Sequence, residues 1–197
     1  MKQDGIRQAL IDGTIHVIAQ DGLDGATTKR IGMETGINQA YIYRYFADKD
    51  DRVVKTFATL DGELIDKITA CLPVMDVKEI PIEERCWLLF AGVWKFLLGN
   101  SEKCMCYIRY YYSPYFKKHS MKDRSYTYRF VVQKMTPAFV PGAEVWHLLN
   151  HILNIMFTSA VRVFNGELSD DDKTAEHVFR LIYSSVASQL TWSKNIS

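Results

Sequence analysis

The chain has 197 residues, enough for one or two modest domains with a real core, and its 48% apolar and 24% charged residues are the balance of an ordinary globular protein. A formal net charge of +1 excludes a polyanion-binding tail, while four cysteines without a CxxC pair (Cys71, Cys86, Cys104, Cys106) argue against a disulfide framework or zinc ribbon and predict reduced thiols. No run approaches the roughly 18 apolar residues of a membrane span, and the opening MKQDGIRQALIDG lacks the apolar stretch of a signal peptide, so no membrane partner and a cytoplasmic location are expected.

Pro73, Pro81, Pro114, Pro137 and Pro141 all fall between stretches of helical spacing. Without sustained alternation, repeats or low-complexity segments, the pattern predicts an all-α fold of about nine helices. The first runs from about Ile6 to Gln20, with Ile6, Leu10, Val17 and Ile18 on one face and Gly22 as its stop. A second begins at the N-cap Thr27 and ends at Gly36; a third starts at Asn38 and turns Ile42 and Phe46 inward. A fourth opens at the N-cap Asp48, carries Asp50 and Asp51 in its first turn, and reaches about Leu72. Further on, Trp87, Phe90, Trp94 and Leu97 or Leu98 form one stripe of a helix starting near Pro81. A short helix after Asn100 breaks at Pro114, and another spans roughly 119 to 136. Two long helices, Gly142 to Phe164 and Ser169 to Trp192, form a closing hairpin long enough to be half of an intersubunit bundle.

The short helices on either side of Gly36-Ile37 fit a helix-turn-helix, with Thr28, Ile31 and Gly32 bringing the first against the second. The span from about residue 6 to 57, and most specifically Ile42-Tyr43-x-Tyr45-Phe46-x-x-Lys49, resembles the N-terminal domain of the tetracycline-repressor (TetR) family of bacterial transcription regulators. Gly32 stands where that family usually has Ala, and Arg52 where it has an apolar residue at the start of helix four.

The resemblance implies a helix-turn-helix DNA-binding domain over 1–50, connected by helix four to a ligand-binding and dimerisation domain over 51–197. It implies a homodimer through the last two helices, a small-molecule ligand and a pseudo-palindromic double-stranded operator, with the protein acting as a repressor released by that ligand. The other reading is a small-molecule binding protein whose helix-turn-helix no longer reads DNA. In support of that, residues 1–60 hold eight Lys and Arg against eight Asp and Glu; within 27–55 the count is six against four, a net of +2.

By the resemblance, Tyr43 and Lys49 contact phosphate; Thr27 can add a hydroxyl and the helix N-terminus its amides, and Thr28 is a further DNA-binding candidate. Lys29, Asn38, Gln39 and Tyr41 are candidates for base edges, since an amide suits adenine and the spacing can present 39 and 43 on one flank, 41 and 45 on another. Tyr45 is a further DNA candidate, and the alternative for Tyr41 or Tyr45 is packing under helix one.

Most rings between Trp87 and Phe164 read as core. Trp94, Tyr111, Tyr126, Phe130 and Phe157 are candidate walls of a ligand pocket, with His151 and Asn154 as polar anchors. His147, His151, Asn154, Thr158 and Arg162 form a polar stripe that faces a pocket, a partner helix or water. Residues 103–134 hold eight Lys and Arg against Asp123, a net of +7, which suits an anionic ligand, acidic headgroups or an extended DNA field, or else is a solvated face. Cys104 and Cys106, two apart on a helix, point away from each other, and His147 with His151 lacks the glutamate of a zinc motif, since position 148 is Leu. No catalytic constellation, cofactor motif or metal site is found, and the chain is not expected to be an enzyme.

Overall fold

The computed structural model describes residues 3–191. Among these are eleven α-helices: α1 Gln3–Gly25, α2 Thr28–Thr35, α3 Gln39–Ile42, α4 Lys49–Cys71, α5 Ile82–Leu98, α6 Ser101–Tyr111, α7 Pro114–His119, α8 Met121–Thr127, α9 Arg129–Met135, α10 Val145–Phe164 and α11 Asp172–Val186. Short 3-10 turns follow α4, α9 and α11, and the only extended pairing among the described residues is an isolated antiparallel bridge, Phe139 with Leu190. The all-α expectation holds. The count exceeds nine because the basic stretch after Pro114 divides into α7, α8 and α9, each too short to show its own hydrophobic period. The last helix stops at Val186, short of the predicted Trp192, because a 3-10 turn and the Leu190 bridge take over; Trp192 itself lies outside the described residues.

The chain forms two compact units, Met1–Glu63 with Glu102–Asp123, and Leu64–Ser101 with Arg124–Ser197. The first is wider than a boundary at residue 50 implies. Its core is the inner face of α1 (Leu10, Ile11, Ile15, Val17, Ile18) against Ile31, Ile42, Phe46, Val53 and Phe57, all at most 4% exposed. Phe57 stacks on Tyr110 of α6 at 4.2 Å and meets Tyr107 and Phe116, and the Tyr107 hydroxyl donates to Asp61 at 3.0 Å. Those contacts bring α6 and α7 into the unit. His16 of α1 adds contacts to Glu102 of α6 at 2.8 Å and Glu34 of α2 at 3.5 Å.

Gly22 sits at φ 77, where α1 departs from helical geometry close to its expected stop. Helix α4 starts as expected. The Asp48 carboxylate accepts from Asp51 N at 2.8 Å, and Asp51 accepts from Ala47 N at 3.0 Å, satisfying two orphan donors. Arg52 does not unsettle that start. It is 1% exposed, its Nη2 donates to the Ala26 carbonyl at 2.7 Å, and burial lowers its pKa. The guanidinium braces α4 to the loop before α2, where an apolar residue would only fill space; among the described residues its Nε has no partner.

In the second unit α5, α9, α10 and α11 enclose an apolar core. Phe90 stacks on Trp94 at 5.7 Å and meets Phe179, which in turn meets Trp87 and Tyr183. Asp171 caps α11 by accepting from Thr174 N at 2.8 Å. The buried Arg124 lies over the rings of Tyr128 and Trp146 and donates to Asn150. No helix among the described residues is long and apolar enough to cross a membrane.

Candidate nucleic-acid interface

Local chemistry builds the surface between Thr27 and Lys49. Thr27 is extended (φ −79, ψ 154) and its hydroxyl oxygen accepts from Arg30 N at 3.1 Å, starting α2. That use leaves the hydroxyl hydrogen to donate. Gly36 closes α2 in the left-handed conformation (φ 66), which turns the chain within two residues. Asn38 then caps α3 by accepting from Ala40 N at 2.9 Å, which leaves its amide NH₂ for an outside partner. A Cβ at Gly32 would lie 3.0 Å from the Ile37 carbonyl oxygen and 3.4 Å from Gln39 Cγ, so the bare glycine lets the two helices meet.

Helix α3 has only four α-helical residues, and the chain then tightens: Arg44 N and Tyr45 N donate three residues back, to Tyr41 and Ile42, at 3.1 and 3.0 Å. Ile42 and Phe46, each 1% exposed, anchor this turn to the core. That leaves Gln39 exposed beside Tyr41 (44%) and Tyr43 (61%), with Tyr45 half-buried. Thr27, Lys29 and Asn38 are exposed too, and Thr28 and Lys49 are partly so. All nine candidate DNA residues thus reach solvent. Lys49 Nζ donates to the Asp24 carbonyl at 3.2 Å and keeps two further donors.

Arg44, not among the residues predicted for DNA, lies with its guanidinium 4.6 Å from the Tyr41 ring. Its place three residues after an exposed phenol was the available signal. The positive charge is narrower than a count suggests. Arg30 is held by Asp21 and Glu34 at 3.0 and 2.8 Å, Lys55 pairs with Asp51 at 2.8 Å, and Arg52 is buried. Glu34 and then Asp21 raise the Arg30 pKa further. Among the described residues, Lys29 and Arg44 have no carboxylate within ion-pairing distance, so they and Lys49 carry the local field.

Within the second unit the candidate ligand residues do not share one cavity or surface. Trp94 and Phe157 are core, 5% and 4% exposed. Tyr111 belongs to the first unit, against Phe116 and Tyr112, while Tyr126 (71%) and Phe130 (50%) are exposed under Arg129 and Lys134. His151 and Asn154 lie on the exposed stripe of α10 with His147, Thr158 and Arg162, and His151 Nε2 is 3.0 Å from Ser185 Oγ of α11. The opposite face of α10, through Leu149, Leu153 and Met156, lines a cavity of about 80 Å³ in the second unit. None of the seven candidates lines it; helical spacing fixed the stripe but not the side of the helix that meets the core.

The basic stretch 103–134 is likewise not one patch. Lys103 pairs with Glu63 at 2.7 Å, Lys118 with Asp50 at 3.3 Å, and Arg124 is buried in the other unit. Lys118, ahead of burial and the other neighbours, holds the Asp50 pKa down. Among the described residues, no group of three or more His, Cys, Asp or Glu is placed to hold a metal ion.

Comparison with known proteins agrees with this geometry. The profile of the bacterial regulatory proteins, tetR family, matches residues 10–51. The chain is 26% identical over 92 residues to the fatty acid metabolism regulator protein of Bacillus subtilis (strain 168), covering 46% of this chain and 45% of that protein. It is 30% identical over 66 residues to the HTH-type transcriptional regulator BetI of Rhizobium meliloti (strain 1021), covering 34% and 32%. The matches thus span less than half of either relative. The whole fold resembles that of a TetR family transcription regulator from Marinobacter aquaeolei VT8, with a TM-score of 0.72 at 17% identity over 93% of this chain and 97% of the other. Capped helices, a left-handed turn and exposed phenols all lie inside residues 10–51, the segment that matches the profile of the bacterial regulatory proteins, tetR family.

Proposed function

We propose that the protein is a DNA-binding transcription regulator, acting as a repressor that leaves a pseudo-palindromic operator when a small molecule binds. The observation that carries this reading is the exposure of Tyr41, Tyr43 and Gln39 on a turn whose Ile42 and Phe46 are locked into the core. A 61%-exposed phenol has no packing reason to be there, and its hydroxyl suits a phosphate oxygen. Tyr43, Lys49, Thr27 and Thr28 contact phosphates. Lys29, Gln39, Tyr41 and the Asn38 amide reach base edges, and half-buried Tyr45 supports the flank.

Two copies pair through α10 and α11, which sets two heads at adjacent major grooves. The exposed stripe of α10 and Leu181 of α11, 50% exposed, supply that surface. Ligand binding favours a dimer whose heads no longer match the groove spacing, which requires the ligand to bind the two states unequally. The relatives named for fatty acid metabolism and as a transcriptional regulator support the regulatory role over the part of the chain that they match. The test is to incubate purified protein with sheared genomic DNA of its source, recover bound fragments at two salt concentrations and sequence them. An enriched inverted repeat that persists at the higher salt is expected; uniform recovery that vanishes with salt contradicts sequence reading.

A further inference from the structure

The second unit holds a cavity whose chemistry is narrower than the ordinary small-molecule pocket, which mixes apolar walls with charged or amide anchors. Here the walls are aliphatic, aromatic and thioether groups from α4, α5, α9, α10 and α11, and the polar members among the described lining residues are the Cys86 thiol and the Tyr183 hydroxyl. Burial raises the Cys86 pKa to about 11 and the Tyr183 pKa to about 12, so both stay neutral near pH 7. No Lys, Arg, His, Asp, Glu, Asn or Gln lies among the described residues that line it. A charged group placed there would be desolvated with no opposite charge to pair it, at a cost that excludes it.

We propose that this cavity takes the uncharged hydrocarbon chain of an amphiphile, whose polar head stays outside it, and that this amphiphile is the releasing ligand; the second clause rests on the regulator reading above. The volume of about 80 Å³ sets the scale. A dry cavity of about 150 Å³ with similar walls holds a benzene ring, so the closed form takes a few methylenes. Longer chains are admitted by Met75, Met135 and Met156, whose unbranched thioethers line the cavity and repack at low cost. The shared chemistry is an alkyl chain; a free acid, an alcohol and an acyl thioester all carry it.

The experiment is direct binding to the full-length chain without DNA, by calorimetry below micelle concentrations, for even-numbered alcohols and carboxylates from four to twelve carbons, decanoyl thioester, and ethidium as a chainless cation. Each added methylene should tighten Kd about four-fold, the transfer free energy of one buried methylene, until the chain outgrows the cavity. Equal slopes for alcohol and acid support the chain as the recognised part; a preference for one head at the same slope supports it and identifies the source. Val93→Phe and Ile152→Phe, which fill the cavity, should weaken binding at least ten-fold, while Met135→Ala should move the optimum to longer chains. If the filled variants do not fold, the Met135→Ala optimum decides. Affinity independent of chain length, binding of ethidium but not of alkyl chains, no binding at all, or folded filled variants with unchanged Kd would each overturn the proposal. Loss of operator recognition leaves these affinities untouched, so failure of the regulator reading is separately visible.

Discussion

The surface of α2 and α3 and the cavity between α5, α10 and α11 are built in opposite ways. The first is made by neighbours in sequence: Thr27, Gly36 and Asn38 set its backbone, and Ile42 and Phe46 anchor it, all within about twenty positions. The second draws on residues from Ile68 to Leu190, and its shape depends on which face of α10 meets α5 and α11. A surface written in local grammar presents its functional groups outward by default. A cavity exists only after long-range packing, and its residues are chosen by volume more than by chemical type.

The largest expected effect tests whether the first unit depends on distant helices as well as on its own turns. Phe57→Ala should cost about 4 kcal/mol in chemical denaturation, because the ring is 4% exposed and stacks on Tyr110. A loss near 1 kcal/mol would mean that α6 adds little there. Next is the brace. Arg52→Ala should cost about 3 kcal/mol, from the space it vacates and the stranded Ala26 carbonyl, whereas Arg52→Leu should cost under about 1 kcal/mol, since apolar fill removes the burial of a charge. Equal losses would contradict the view that the charge itself is the expensive part.

Alkali should touch both units. Burial raises Cys104 and Cys106 to about 12 in the first and Cys86 to about 11 and Tyr183 to about 12 in the second, from ordinary values of 9.0 for the thiols and 10.0 for the phenol. The unfolded chain therefore releases these protons first, so stability is complete below about pH 9 and falls as pH climbs towards 12. Urea midpoints at pH 8 and pH 10.5 check this, and Cys104→Ala should flatten the decline. The smallest effect is expected for Gly32→Ala, within about 1 kcal/mol of neutral: a helix-propensity gain of about that size opposes a Cβ 3.0 Å from the Ile37 carbonyl.

Legibility follows the same division. Caps and turns could be read because each is one residue's chemistry: the oxygens of Thr27, Asn38 and Asp48 accept from amides two or three residues on. The inward turn of Ile42 and Phe46 was fixed by a four-residue period. The splitting of residues 114–135 into three short helices was not legible, since no segment of six or seven residues carries a full period. Nor was the fate of the polar stripe on α10: period gives the stripe, whereas only packing shows that His151 and Asn154 face outward while Leu149 and Met156 face the cavity. Arg52 read as a departure at a helix start, because a sequence does not show the Ala26 carbonyl twenty-six residues away.

The most direct test of the central claim is operator affinity across a salt series by fluorescence anisotropy, for the wild-type chain, Tyr43→Ala, Tyr43→Phe and Lys49→Ala. Tyr43→Ala should weaken binding about 10- to 100-fold, with two half-sites each losing a contact worth roughly 1 kcal/mol, and should leave the urea midpoint unchanged because the ring is 61% exposed. Tyr43→Phe should lose affinity without altering base preference, and Lys49→Ala should reduce the salt slope by about two per dimer. Tyr43→Ala protein that holds the operator as tightly as wild type, at every salt concentration, would contradict the claim that this exposed turn is what meets DNA.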